Sequence, residues 1–186
     1  MTASLVSHDD ETTGFRSSIA DASTRARALA ERRITEGPAM AMEGTVQSIE
    51  VSAPPQLVYE VALDLEEYPQ WATGVKEVVI HDEDDDGRPV RVSFVADAMI
   101  KEIAYTLLYR YDLDNGFSWA AEPGDDIKAM DGSYEFNLLA DGGTEVLYAL
   151  KVEPAFTVPG FLRRQAEKQI VSSALRGLKR RAESAE

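Results

Sequence analysis

The sequence predicts an α+β domain in which a seven-stranded, curved antiparallel sheet wraps one long C-terminal helix, with two short helices after the first strand. Three observations carry this. From Glu43 onward, apolar residues recur with a period of two in seven segments. Turn-forming clusters of Gly, Asp, Asn and Pro separate these segments. After Pro154 and Pro159 the period changes to that of a helix, over the longest such stretch in the chain. Strands joined by short turns form an antiparallel meander. A twisted sheet with a single long helix covers that helix by curling round it.

The first strand is Thr45–Val51, with Val46, Ile49 and Val51 as its apolar set. Ala53-Pro54-Pro55 ends it, and Pro55 suits the first turn of a helix that runs to Leu63. Asp64 is positioned to cap a second short helix through Tyr68, stopped by Pro69. Gly74 then opens a strand from Val75 to His81. Five more follow: Val90–Ile100, Glu102–Leu113, Phe117–Ala121, Ile127–Leu139 and Thr144–Glu153. Asp114-Asn115-Gly116 and Asp141-Gly142-Gly143 supply residues that tolerate positive φ in tight hairpins. The last helix spans Gly160 to about Arg181, roughly 30 Å at 1.5 Å per residue. Its apolar stripe is Phe161, Leu162, Ala166, Ile170, Val171, Ala174, Leu175 and Leu178, with Arg163, Arg164, Glu167 and Lys168 among the residues off it.

Residues 1–39 contrast with the rest. Their few large apolar side chains are too little to offset the entropy of ordering, so they read as a disordered tail, or a partly helical one over about 18–35. Met40, immediately before the first strand, offers an alternative start of translation that would make those residues an over-extension.

Composition removes whole classes of function. With no cysteine, disulfides, thiolate zinc sites and cysteine nucleophiles are excluded. A net charge of −14 argues against binding DNA. No long apolar run and no secretory signal pattern is present, so the chain reads as cytoplasmic. There is no phosphate-binding glycine motif, and no cofactor is implied. Of the two histidines, His8 falls in the tail and His81 beside an acidic turn with no nucleophile elbow; neither reads as catalytic. Asp82, Asp84, Asp86 and Gly87 fit the start of a calcium loop, but Ser93 stands where a bidentate glutamate belongs, so no metal site is assigned.

The order of elements, and the residues that mark it, resemble the START-like, birch-pollen-allergen-like superfamily called SRPBCC. Within it the chain is similar to the bacterial polyketide cyclase/dehydrase and coenzyme Q-binding proteins. The marks are Val51-Ser52-Ala53-Pro54-Pro55 with Val58-Tyr59, then Asp64-Leu65-Glu66-Glu67-Tyr68-Pro69-Gln70-Trp71. Gly132-Ser133-Tyr134-Glu135-Phe136, Gly143-Thr144-Glu145-Val146 and Pro159-Gly160-Phe161-Leu162 follow. The resemblance covers about residues 43–183. It implies a helix-grip fold and makes residues 40–186 a START-like ligand-binding domain with a cavity between sheet and helix. Where family members place Trp in the sixth strand this chain has Tyr134. The resemblance implies an apolar ligand such as a lipid, isoprenoid quinone or polyketide. A polyketide aromatase/cyclase and a ribosome-association toxin-like module remain open as alternatives.

Alternation picks the face that would line such a cavity, because a slip of one residue would turn charged side chains inward. It selects Phe94, Tyr105, Tyr109, Trp119, Met130, Tyr134 and Tyr148. Trp71 joins them after the short helices, and Ile170 and Ala174 from the last helix. A filled core is the plain alternative for all ten. Tyrosines on one inward face fit an apolar cavity with a few polar tips. Acid–base chemistry would need a polar group inside, and alternation places Asp97, Asp131 and Arg110 outside, so no catalytic residue is assigned.

Charge is unevenly distributed. Residues 40–159 carry 7 Lys+Arg against 24 Asp+Glu, whereas residues 160–182 carry 7 against 1. This reads either as a basic helix lying on an acidic sheet or as a contact surface for membrane lipid or the ribosome. No oligomeric state is legible.

Overall fold

The computed structural model describes residues 44–98, 101–113 and 115–185. The tail, its expected helix and the alternative start at Met40 lie outside them. The elements are β1 (Thr45–Val51), α1 (Pro55–Leu63), a 3-10 turn (Leu65–Glu67), α2 (Tyr68–Trp71), β2 (Val75–Glu83), β3 (Pro89–Asp97), β4 (Glu102–Leu113), β5 (Gly116–Ala121), β6 (Ile127–Leu138), β7 (Thr144–Pro154) and α3 (Gly160–Glu183).

All seven strands form one antiparallel sheet in the order β1-β7-β6-β5-β4-β3-β2. Register shifts in the β2–β3, β4–β5 and β6–β7 pairs mark bulges or irregularities, which bend and twist strands. The sheet curls over α3, which packs mainly against β1 and β7. At the β6–β7 hairpin Gly142 has φ +90, a conformation that spares only residues without a Cβ from strain.

The core is continuous from the concave face to the helices. Phe117, Val92, Val146, Val58 and Leu65 are essentially inaccessible, as are Val171 and Leu178 of α3. A 2.7 Å hydrogen bond from the buried Thr144 hydroxyl to the Ala53 carbonyl ties β7 to the start of α1.

Several sequence expectations need correction. Val46 points outward and is 57% exposed; the inward register is Thr45, Gln47, Ile49 and Val51. Pro69 does not stop the second short helix but sits in the first turn of α2, where its missing N–H costs nothing. Asp64 makes no capping hydrogen bond. β3 is described only to Asp97, and Met99 and Ile100 lie outside the described residues. Leu138 ends β6 beyond the core and is exposed. Gly116 has no positive φ; it begins β5, where a Cβ would sit 2.0 Å from the Tyr134 carbonyl oxygen.

The stripe of α3 is narrower than its composition implies. Glu167, Val171, Leu175, Leu178 and Ala182 form one buried arc at spacings of four, four, three and four. Phe161 and Leu162 lie off that arc and are exposed, as is every residue of 160–165. Glu167 is instead drawn in, its Oε1 accepting a 3.0 Å hydrogen bond from the Val152 N–H. Val152 pairs with Met130 of β6 but lies past the end of the β1–β7 register, so the carboxylate serves on the side where β1 offers no partner.

Candidate ligand-binding site

Between the concave face and one flank of α3 lies a cavity of about 140 Å³. β3 contributes Phe94, β4 Tyr105 and Tyr109, β5 Trp119, β6 Met130 and Tyr134, and β7 Tyr148. α2 supplies Trp71, and α3 supplies Ile170 and Ala174. All ten candidate residues therefore line one space. The exposed members of its lining, Thr73, Asp97 and Ile170, mark where it opens.

Register explains the assembly. Tyr134 lies directly opposite Tyr148, Tyr109 opposite Trp119, and Phe94 opposite Tyr105. Opposed residues on one face meet within side-chain reach, so each pair stacks or tilts together. The Tyr134 and Tyr148 rings are 4.4 Å apart at 30°, and those of Phe94 and Tyr105 are 5.3 Å apart at 11°. Trp119 packs 5.6 and 5.7 Å from Tyr134 and Tyr148. Its indole lies across Gly132, where a Cβ would fall 2.3 Å from Cζ2. On the other side Trp71 rests on Gly177 of α3 and packs 4.5 Å from Tyr68.

The polar atoms around this space are distinctive. The Tyr68 hydroxyl is occupied, donating to the Ala62 carbonyl at 2.7 Å. The hydroxyls of Tyr105, Tyr109, Tyr134 and Tyr148 have no hydrogen-bond partner among the described residues. The Trp71 Nε1–H is buried and likewise has no acceptor there. A buried donor left unsatisfied costs about 1–3 kcal/mol, a cost that falls here on the Trp71 Nε1–H unless a ligand in the space accepts from it.

Burial also fixes protonation. It pushes the Tyr105 hydroxyl up to about 12. Burial first, and neighbouring phenols second, hold Tyr109 and Tyr134 well above the ordinary phenol value, and Tyr148 is raised in the same way. All four stay neutral at physiological pH. They can donate hydrogen bonds but cannot act as bases.

Asp97 departs from its expected position outside the site. It sits on the rim, although its carboxylate is exposed and tied to Lys76 at 3.1 Å. Among the described residues no other carboxylate and no histidine lines the cavity. His81 is exposed and bonds the Ser93 hydroxyl at 2.8 Å. In the acidic β2–β3 turn the Asp84 carboxylate accepts from the Arg88 and Asp86 N–H groups and pairs with the Arg88 guanidinium, which holds it below the usual carboxylate range. The alternation argument missed Tyr68, whose place at the end of a helix wrongly terminated by Pro69 hid its inward direction.

Known proteins share this architecture. A START superfamily protein from Mycobacterium smegmatis matches with TM-score 0.71 and 21% identity, covering 76% of this chain and 98% of that one. A Thermus thermophilus protein matches with TM-score 0.64 and 25% identity, over 76% and 98%. The Zhui aromatase/cyclase from a Streptomyces species matches with TM-score 0.63 and 18% identity, over 75% and 92%. Compared with curated protein sequences, the chain has no match. Residues 51–179 match the family described as polyketide cyclase / dehydrase and lipid transport. That match spans more than two thirds of the 186 residues and makes this chain a member of that family, with the helix-grip fold of the START superfamily protein.

Proposed function

We propose that the chain binds and carries a small, largely apolar molecule bearing hydrogen-bond acceptors, held between the sheet and α3. One observation carries this reading: four neutral tyrosine hydroxyls and one indole N–H, all without protein partners, surround an otherwise apolar cavity. Such a wall matches a ligand with carbonyl or ether oxygens on an apolar frame. A lipid, an isoprenoid quinone and a polyketide all have that character. The volume of about 140 Å³ supports the smallest of these head groups, since an apolar cavity of about 150 Å³ takes a single benzene-sized ring. A single-ring head with carbonyl acceptors, its chain leading past Thr73 and Ile170, fits best.

The aromatase/cyclase reading draws support from the family description. Cyclisation of a poly-ketone needs a proton removed next to a carbonyl, and the phenols here are held neutral. They can polarise a carbonyl by donation, which favours carrying over turnover.

The test is native mass spectrometry of gently extracted protein, followed by titration with a short-chain benzoquinone. A co-purified small molecule, displaced by the quinone and bound more weakly in Tyr134→Phe, is expected. An empty protein that binds neither quinone nor fatty acid would sink the carrier reading. Conversion of a reactive poly-ketone, abolished by Tyr109→Phe or Tyr134→Phe, would favour the cyclase instead.

A further inference from the structure

The two halves of α3 differ in how their charges are met. In the C-terminal half, Lys179 pairs with Glu183 and Arg181 with Glu67, both at 3.2 Å. A basic helix lying on an acidic body accounts for those two, although Arg176 bonds only the Ser172 hydroxyl and Arg180 has no ion pair among the described residues. It does not account for Arg163, Arg164 and Lys168, which are exposed and have no ion-pair partner among the described residues. With Lys151 of β7, likewise unpaired, they line a groove of about 560 Å³ between the start of α3 and the ends of β1 and β7. Two carboxylates face it. Glu167 is buried and occupied by the Val152 N–H, and Glu153 is bonded to Lys128 at 2.6 Å. Most other described cations sit on carboxylates, as Arg91 does on Glu122 and Lys76 on Glu102. An unpaired cationic cluster in a chain of net charge −14 is not needed for solubility.

The same end of the helix carries exposed apolar surface. Phe161, Leu162 and Ile170 are 63%, 41% and 46% exposed, and they make up half of the large exposed apolar residues described. Val46, 57% exposed, lies on the basic groove. Apolar side chains interleaved with unpaired cations along one helix end suit an interface with an acyl layer beneath anionic headgroups. RNA would be met by the cations but would leave Phe161 and Leu162 without purpose.

We infer that the first two to three turns of α3 dock on an anionic lipid bilayer, with Phe161 and Leu162 entering the acyl boundary and Lys151, Arg163, Arg164 and Lys168 meeting lipid phosphates. The surface stands whatever the cavity holds. Ile170 belongs to both, so a docked molecule brings the cavity's opening close to the lipid.

The test is sedimentation of the full chain with vesicles of phosphatidylcholine alone or mixed with phosphatidylglycerol. Retention only by the mixed vesicles, weakening as salt is raised, is expected. Each basic residue near an anionic surface contributes about fivefold in affinity, so R163Q/R164Q/K168Q lowers it about 100-fold. F161S/L162S lowers it about tenfold or more on the same vesicles. K76Q, on the far edge strand, leaves it unchanged. These side chains are exposed, and circular dichroism verifies that the variants fold. Equal retention by neutral vesicles, no retention at physiological ionic strength, or variants that bind like the parent would overturn the inference. So would variant-sensitive sedimentation with ribosomes in the absence of vesicle binding.

Discussion

Replacing Gly132 by Ala tests the cavity wall from behind. An added Cβ would stand 2.3 Å from Trp119 Cζ2 and 2.7 Å from its Nε1. Carbon atoms rest about 3.5–4.0 Å apart, so the indole must shift by roughly 1.2 Å or more. Its neighbours leave little choice of direction. Tyr109, Phe117, Tyr134 and Tyr148 stand with ring centroids 5.8, 6.0, 5.6 and 5.7 Å away. The unfilled direction is the cavity, whose volume of about 140 Å³ cannot lose an indole's displacement and still hold a ring. Overpacking of this kind costs about 1–3 kcal/mol, and in a chain of this size each kcal/mol lowers Tm by about 2–4 °C. Thermal melting with and without saturating benzoquinone should show a fall of about 2–12 °C in the free protein and little stabilisation by the ligand. An unchanged Tm would refute the seating of Trp119 on Gly132. A lowered Tm with undiminished ligand stabilisation would refute the cavity as the binding site.

The hydroxyl of Tyr134 has no protein partner, so Tyr134→Phe should change urea stability by less than about 1 kcal/mol while weakening a carbonyl ligand about tenfold; a large stability loss would reveal a hidden partner. Glu167→Ala leaves the Val152 N–H unmet and should cost about 1–3 kcal/mol in denaturant melts, whereas Glu167→Gln, which keeps a carbonyl acceptor, should cost much less. Buried phenols set an alkaline limit: their folded values lie above the unfolded value of 10.0, so their stabilisation is complete below about pH 10 and is lost as pH rises through about 12 for Tyr105. All seven tyrosines of the chain are held above the ordinary phenol value, so tyrosinate absorbance should rise above pH 10 and together with loss of far-UV circular dichroism; a step at pH 10 in folded protein contradicts this. Amides of residues 160–166 should exchange hydrogen faster than those of 171–182, because only the latter stretch packs Val171, Leu175, Leu178 and Ala182 into the core.

The fold was legible because charge and alternation agreed on most strands. On β4, Glu102 and Arg110 could belong only in water, which turned Ile103, Tyr105, Leu107 and Tyr109 inward without ambiguity. β1 lacked that constraint. Val46 and Ile49 lie on opposite faces, and the sequence holds nothing to say which face wins, because Thr45 and Gln47 are polar residues turned inward. Glu167 was misjudged for a related reason. A glutamate off an apolar stripe ordinarily faces solvent, and only the ending of the β1–β7 ladder before Val152 creates the buried donor that holds it. Pairing beyond a strand's end is a tertiary fact with no local signature. Asp97 was read correctly as solvent-exposed; its position on the rim depends on Gly74, whose carbonyl accepts from the Asp97 N–H at 2.8 Å.

Along α3 these observations separate three roles on one helix. The arc through Val171, Leu175, Leu178 and Ala182 anchors it, since losing any large member would open a cavity in a close-packed core. A neighbouring arc, Ile170, Ala174 and Gly177, meets the cavity and supports Trp71. Residues 160–165, the start of the helix, carry no burial at all. A ligand larger than one ring must widen the space, and the wall yields where least is packed behind it. That is at Ile170, half exposed, rather than at Trp119, enclosed by four aromatic rings. Docking through the first turns, as inferred above, would act beside the part of the wall with least packed behind it, while the C-terminal arc keeps its packing on the core.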